Sequence, residues 1–223
     1  LIRRQRQMCI RDSTYTGVGM VRVWIAAAVA VLVLVGSGVG FSFIEPRVIK
    51  GPEAVGFDLS DNPWTGPLDA PVQVIEVSDP KCPWCSRAHD VIMEAHKRYG
   101  DKFYVIFNHY PIDKTCNPSL SRTLHEDACI GSHAAYCAQK QSREKFWEYL
   151  DYLFNHQNED WDNDVLTSYA ARLGLDTDKF RKCLNDPAAM AVIKEDIKDA
   201  EKNGVHATPT LFFNGQAYGN AAG

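Results

Sequence analysis

The chain has 223 residues, 45% of them hydrophobic and 23% charged, with a formal net charge of −4. That length suits one sizeable domain or two small ones, and the composition is that of an ordinary globular protein. With no acidic or basic tail and no broad positive surface implied, nucleic acid is set aside as a partner.

Residues 1–19 look foreign to the rest of the chain. The run Gln5-Arg6-Gln7-Met8-Cys9-Ile10-Arg11-Asp12-Ser13 resembles translated sequencing read-through, so 1–19 is set apart as non-native and Met20 is taken as the start. Residues 20–44 read as an export element. Arg22 is the single positive charge, Val23 to Val35 is unbroken apolar, and the uncharged stretch continues to Ile44. Residues 23–44 are long enough to span a bilayer. Gly36-Ser37-Gly38 offers the alternative of a cleaved signal peptide. The uncleaved anchor is preferred, because apolar character resumes at Phe41, Phe43 and Ile44. Either way the rest of the chain is expected outside the cytoplasm, in a periplasmic or extracytoplasmic setting, anchored to the inner membrane by residues 23–44. An even set of cysteines remains once Cys9 is set aside, which in an exported protein points to disulfides.

Residues 45–68 carry Pro46, Pro52, Pro63 and Pro67 and are read as a linker, with the folded domain over 69–223. Asp69-Ala70-Pro71 is a turn into an apolar run, Val72-Gln73-Val74-Ile75-Glu76-Val77, which predicts a buried strand. Lys81-Cys82-Pro83-Trp84-Cys85 comes next. Ala88, Val91, Ile92, Ala95 and Tyr99 recur at helical spacing up to a stop at Gly100, so the two thiols fall at a strand-to-helix junction. Unpaired N–H groups and the positive end of the helix dipole favour a thiolate on Cys82 there, and Pro83 suits a first helical turn. A thiolate attacks disulfides, and a cysteine three positions on resolves the mixed disulfide.

Phe103 to Asn108 predicts a second strand, parallel to the first and mostly buried. Residues 112–127 are polar and turn-rich. Helical patterns then run over Ala128–Lys140, around Phe146–Phe154, around Val165–Leu173, from Asp176 or Thr177 to Leu184, and from Pro187 to Asn203-Gly204. Leu211 to Phe213 is a strand, Asn214-Gly215 a two-residue hairpin turn, and Gln216 to Tyr218 the start of the return strand.

These residues resemble the thioredoxin fold with a helical insertion, that is, the DsbA family of exported thiol–disulfide oxidoreductases. The resemblance covers about residues 68–219. It is carried by Cys82-Pro83-Trp84-Cys85 after a strand, and by Glu76 six residues before Cys82. Phe146-Trp147-Glu148 with Leu153-Phe154, Ala170-Ala171-Arg172-Leu173-Gly174-Leu175-Asp176, and Gly204-Val205 through Thr208-Pro209-Thr210 complete it. It implies an α/β fold: a thioredoxin-like central sheet with an inserted helical block, about 112–186, preceded by the N-terminal membrane segment. It also implies a completed strand and a further helix at the C-terminus, so truncation there is expected.

The implied activity is donation of the Cys82–Cys85 disulfide to secreted or periplasmic proteins, with a reductase or isomerase of the same fold, or a non-redox binding or zinc module, as alternatives. Glu76, in an apolar strand, is expected to be buried and to take the proton from Cys85. Thr208 and Pro209, if the peptide bond between them is cis, are expected to present backbone to an extended substrate beside Pro83 and Trp84. Trp84 stands where the family's oxidants often carry histidine, and Lys81 is expected to compensate electrostatically. No cofactor is expected beyond the redox-active disulfide. Expected partners are unfolded or newly exported protein thiols and a quinone-linked membrane oxidase, DsbB-like or VKOR-like, for reoxidation; the chain is expected to be a monomer.

Cys116 and Cys129 flank the polar loop and are expected to pair, with Cys137 and Cys183 as either a second bridge or two buried thiols. Four cysteines allow three connectivities, so sequence alone leaves these open. Cys82, Cys85 and His89 have zinc-like spacing, and His125, Cys129 and His133 share one helical face. No metal is nevertheless expected, because a zinc site wants four converging ligands and usually a loop.

Overall fold

A computed structural model describes residues 56–219 of the chain. The expected read-through, the membrane segment and the first part of the linker lie outside the described residues. Among the described residues no helix is long and apolar enough to cross a membrane.

The elements run β1 (Trp64–Thr65), β2 (Val72–Ser78), α1 (Pro83–Tyr99), a 3₁₀ turn (Gly100–Lys102), β3 (Phe103–His109), α2 (Ala128–Gln139), α3 (Arg143–Asn155), α4 (Asn163–Arg172), α5 (Thr177–Leu184), α6 (Pro187–Lys202), β4 (Thr210–Phe213) and β5 (Gln216–Gly219). They form a five-stranded mixed sheet in the order β1-β3-β2-β4-β5. β2 and β3 are parallel, joined through α1, with Glu76 opposite Phe107. β4 is antiparallel to β2, placing Leu211 opposite Glu76. The β4–β5 hairpin turns at Asn214 (φ 47°) and Gly215 (φ 81°), the two left-handed positions a type I′ turn requires.

β2 is buried along nearly its whole length because helices cover both sheet faces. One face carries Val74, Val105 and Phe107, packed against Cys85 and Ile92 of α1 and Phe146, Leu150 and Leu153 of α3. The other carries Ile75, Val77, Tyr104 and Ile106, packed against Ile193, Ile197 and Ala200 of α6. Alanine-rich α2 is buried on most sides, which its small side chains allow. Ser142, Asp162, Asp176 and Asp186 cap α3, α4, α5 and α6, each side chain accepting from backbone N–H groups of the first turn.

Two expectations are corrected. Residues 56–68 are no tether: β1 forms the sheet edge on β3, Phe57 is buried against Phe212, and buried Asn62 donates to the Phe107 carbonyl. Their contacts are made across the chain, so prolines and glycines in sequence mimic a linker. The buried face of α1 is also displaced from the predicted stripe. It runs through Cys85, His89 and Ile92, leaving Val91 71% and Tyr99 49% exposed. The helix phase follows the polar residues it must bury.

Cys116 is bonded to Cys129 and Cys137 to Cys183. The first bridge closes the polar loop onto α2; the second ties α2 to α5. In the chain-entropy account, the bridge across 46 residues contributes about 4 kcal/mol and the one across 13 about 3 kcal/mol. Urea denaturation of Cys137→Ala/Cys183→Ala and Cys116→Ala/Cys129→Ala should show losses of that order, the longer loop costing more.

Candidate active site

β2 ends at Ser78, and Asp79 turns the chain into α1. Asp79 is fully buried, and its carboxylate gathers this corner: it accepts from Lys81 N at 2.7 Å and Ile112 N at 2.8 Å, and pairs with His125 Nδ1 at 2.7 Å. Cys82 N donates to the Asp79 carbonyl. Cys82 is thus the N-cap residue of α1, extended in backbone, with Pro83 at the first helical position.

The two thiols, both free, have opposite environments. Cys82 Sγ receives a hydrogen bond from the Cys85 thiol and faces the backbone N–H groups of Cys85 and Trp84 at the helix start. These outweigh the cost of burial and bring its pKa down to about 6. Its Sγ lies 3.8 Å from the Thr208 carbonyl, next to the cis Thr208–Pro209 peptide bond. Cys85 has no exposed surface; burial, then the Cys82 sulfur, pushes its pKa well up. The first sulfur therefore carries charge at neutral pH while the second holds its proton.

Trp84 is 65% exposed, with the Arg87 guanidinium over its ring, and forms an apolar shelf beside Cys82. Lys81 does not compensate as expected. Its ammonium turns away to the carbonyls of Gln157 and Glu159 and lies over the Trp161 ring, 4.1 Å from its centre. Loop carbonyls and an aromatic face solvate it better than a buried sulfur. His125 supplies positive character near Cys82 instead: its pKa is raised by the hydrogen bond to Asp79 and, in smaller part, by the Cys82 charge. Gln157 Nε2 donates to the carbonyls of Pro80 and Cys82, clamping the strand-to-helix turn.

Glu76 is fully buried, and it is not alone. His89 Nδ1 lies 2.9 Å from Glu76 Oε2, and His89 Nε2 lies 3.1 Å from Asp151 Oδ1 on α3. Burial pulls the imidazole down, but the Glu76 charge and the hydrogen bonds to Asp151 and Glu76 outweigh it and hold His89 up at about 10. With both ring nitrogens engaged, His89 is not placed to join Cys82 and Cys85 as a zinc ligand. Nor do His125, Cys129 and His133 converge: His125 pairs with Asp79, Cys129 is in a disulfide, and His133 Nε2 bonds the Cys183 carbonyl. Among the described residues, the group close enough to hold an ion is His133, Cys137 and Cys183, two of which are joined to each other.

Sequence reasoning missed Asp79, Gln157 and Asp151, and weighed His89 and His125 only as metal ligands. For His89 a signal existed: it lies one helical turn beyond Cys85, on the same face.

This geometry generates two expected outcomes. Iodoacetamide should modify Cys82 with a rate that titrates near pH 6, while Cys85 stays protected in the folded chain. Replacing His89 with leucine leaves a buried carboxyl without its partner, which should cost about 3–5 kcal/mol. Because folded His89 titrates at about 10, above the ordinary ~6.5 of the unfolded chain, that contribution is complete below the lower value. The stability gap between wild type and His89→Leu, read by urea denaturation, should therefore narrow as pH rises through about 10.

Known proteins resemble this arrangement. The family model described as thioredoxin matches residues 59–222. The chain is 36% identical over 153 residues to a protein named Na(+)/H(+) antiporter NhaA 3 from Salinispora tropica, covering 69% of this chain and 22% of that one. It is 32% identical over 153 residues to Na(+)/H(+) antiporter NhaA 1 of Mycolicibacterium vanbaalenii, covering 67% and 23%. The chain thus spans about a fifth of the length of the curated relatives it matches. Oxidised BdbD from Bacillus subtilis superposes with a TM-score of 0.63 at 20% identity, over 76% of this chain and 90% of that one. Alpha-DsbA1 of Wolbachia pipientis gives 0.59 at 23% identity, over 72% and 83%. The family match places the chain in the thioredoxin family, and its sheet order and inserted helices give it the fold of these two structures.

Proposed function

We propose that this chain is a thiol–disulfide oxidoreductase that donates the Cys82–Cys85 disulfide to newly exported proteins. The observation that carries the reading is the opposed ionisation of the two thiols, one held as thiolate at a helix start and one buried with its proton. In the disulfide form, a substrate thiolate attacks Cys82 Sγ. The Cys82–Cys85 bond breaks, and Cys85 leaves and is protonated. A second substrate thiolate then attacks the substrate sulfur of the mixed disulfide. Cys82 leaves as a stabilised thiolate, and the substrate departs oxidised by two electrons. Glu76 is the group assigned to exchange the Cys85 proton. The half-buried Thr208–Pro209 segment offers backbone to an extended substrate beside Cys82, and exposed Trp84 with Pro83 forms the facing edge.

The direction of transfer is set by the thiolate. Stabilising Cys82 as an anion stabilises the reduced pair, which makes the disulfide a better oxidant. The value of about 6 falls between the ~7 of thioredoxin and the ~3.5 of strongly oxidising members of the fold. Two further bridges within the chain suit an oxidising compartment. Residues 23–44 would hold the domain at the outer side of the inner membrane. The membrane-protein name of the curated relatives, a fifth of whose length is matched, is consistent with that setting. The chain acts as a monomer, without nucleic acid or a bound cofactor, and a quinone-linked membrane oxidase of DsbB-like or VKOR-like chemistry reoxidises the pair.

The experiment is trapping. Cys85→Ser should accumulate mixed disulfides with client proteins through Cys82 on non-reducing gels, and Cys82→Ser should give none; absence of adducts with Cys85→Ser refutes the reading. Equilibration with glutathione should place the pair above thioredoxin's potential of about −270 mV, and a thioredoxin-like value would favour a reductase.

A further inference from the structure

A buried thiol that gains and loses a proton needs a route to water, and the structure contains one that leads away from the substrate side. Cys85 and His89 are one helical turn apart on the buried face of α1, above Glu76 and Ser78 of β2; Ser78 faces the Cys85 thiol. The Glu76 carboxyl has one oxygen bonded to His89 and one, Oε1, buried with no hydrogen-bond partner. A buried carboxyl oxygen that no protein group pairs is left open toward the layer beneath Cys85. Beyond Glu76 the path is continuous. His89 stands between Trp147 and Phe154, ring centres 6.0 and 5.0 Å away, and reaches Asp151 on α3. Asp151 is 57% exposed and opens onto a cleft of about 310 Å³.

We infer that Glu76, His89 and Asp151 form a proton relay that connects the Cys85 thiol to solvent through the α1–α3 cleft, so that Cys85 exchanges its proton while substrate still covers Cys82. The inference rests on the proposed thiol exchange and concerns the same site. His89 and Asp151 touch no substrate; they act through Glu76 and are positioning residues.

The steps balance. When Cys85 Sγ bonds to Cys82 Sγ, the Cys82–substrate S–S bond breaks, the substrate leaves as thiolate, and the Cys85 proton passes to Glu76. With Glu76 neutralised, the imidazolium no longer faces a carboxylate and releases its Nε2 proton to Asp151 and thence to water, keeping its Nδ1–H toward Glu76. One proton enters the pair from Cys85 as one leaves it for solvent, and the ring need not turn. In the reverse sense the same path protonates Cys85 as a substrate thiolate opens the Cys82–Cys85 disulfide. The charged groups facing the relay are Glu76 from β2, Asp151 from α3, and Asp90, Glu94 and Lys97 from α1 at the cleft. Phe107 of β3 and Leu211 of β4, opposite Glu76, bring none.

Asp151→Asn tests this. Asparagine keeps an oxygen for the His89 N–H to reach but cannot take its proton, and the exposed position tolerates the change. The reduced full chain is mixed with oxidised glutathione, and acid-quenched samples are read by mass spectrometry for formation and loss of the Cys82 adduct. The expected result is adduct formation at the wild-type rate with adduct loss slowed about tenfold or more at pH 7. Acetate or imidazole buffer, which can reach the cleft, should then restore the loss rate in the variant. His89→Gln should show the same selective slowing. The relay is overturned if Asp151→Asn loses the adduct at the wild-type rate across pH 6–8, or if its slowing is not relieved by added buffer. A wild-type chain that forms no adduct at all would instead strike the proposed function.

Discussion

The ion pair between Glu76 and His89 governs the geometry on which the rest depends. A carboxyl in a strand covered on both faces has neither water nor free backbone donors, so a partner must be brought to it. That partner comes from α1, and it sets the rotation of the helix: His89 must face inward, so Cys85 one turn earlier does too, and Val91 is turned out to solvent. Asp151, meeting the other imidazole nitrogen, then fixes the inserted helix α3 against α1. One buried charge thereby orients a crossover helix, the thiol upon it and the block inserted between the strands.

The same rotation separates two chemically identical side chains. Cys82 stays at the helix start, where its sulfur faces the Trp84 and Cys85 N–H groups, and Cys85 is carried beneath the first turn into the core. The difference between them is one of solvation and hydrogen bonding. Asp79 holds the turn, and its bond to His125 brings an imidazole whose pKa is raised toward the sulfur, from a loop that is distant in sequence. The position between the cysteines is left free to be tryptophan, an exposed flat surface in place of a charge.

Much of this is legible in sequence because it is local. Val72–Val77 and Phe103–Asn108 announce buried strands by continuous apolar, β-branched or aromatic runs, and each observed strand extends the predicted one by a single residue. Periodicity announces the helices from 128 to 202, with aspartates and serine at their starts. Features made by distant pairs escape. β1 has two residues and exists only because β3 lies beside it. The apolar stripe on α1 misleads because a hydrophobicity pattern cannot foresee that a histidine will outrank a valine for the core. Lys81 beside the cysteines in sequence suggests a charge beside them in space, whereas loop carbonyls at 157 and 159 claim it.

Cys116, Cys129 and Cys137 are almost wholly covered, and Cys183 is partly so. A molecule that carries an aggressive sulfur nucleophile also carries targets for it. Enclosing those four atoms beneath helices insulates them from attack by a neighbouring copy as well as from within. The framework bridges are thus set once, when the chain folds, while the pair at the start of α1 opens and closes. Such shielding lets a disulfide reagent be built upon disulfides without scrambling itself.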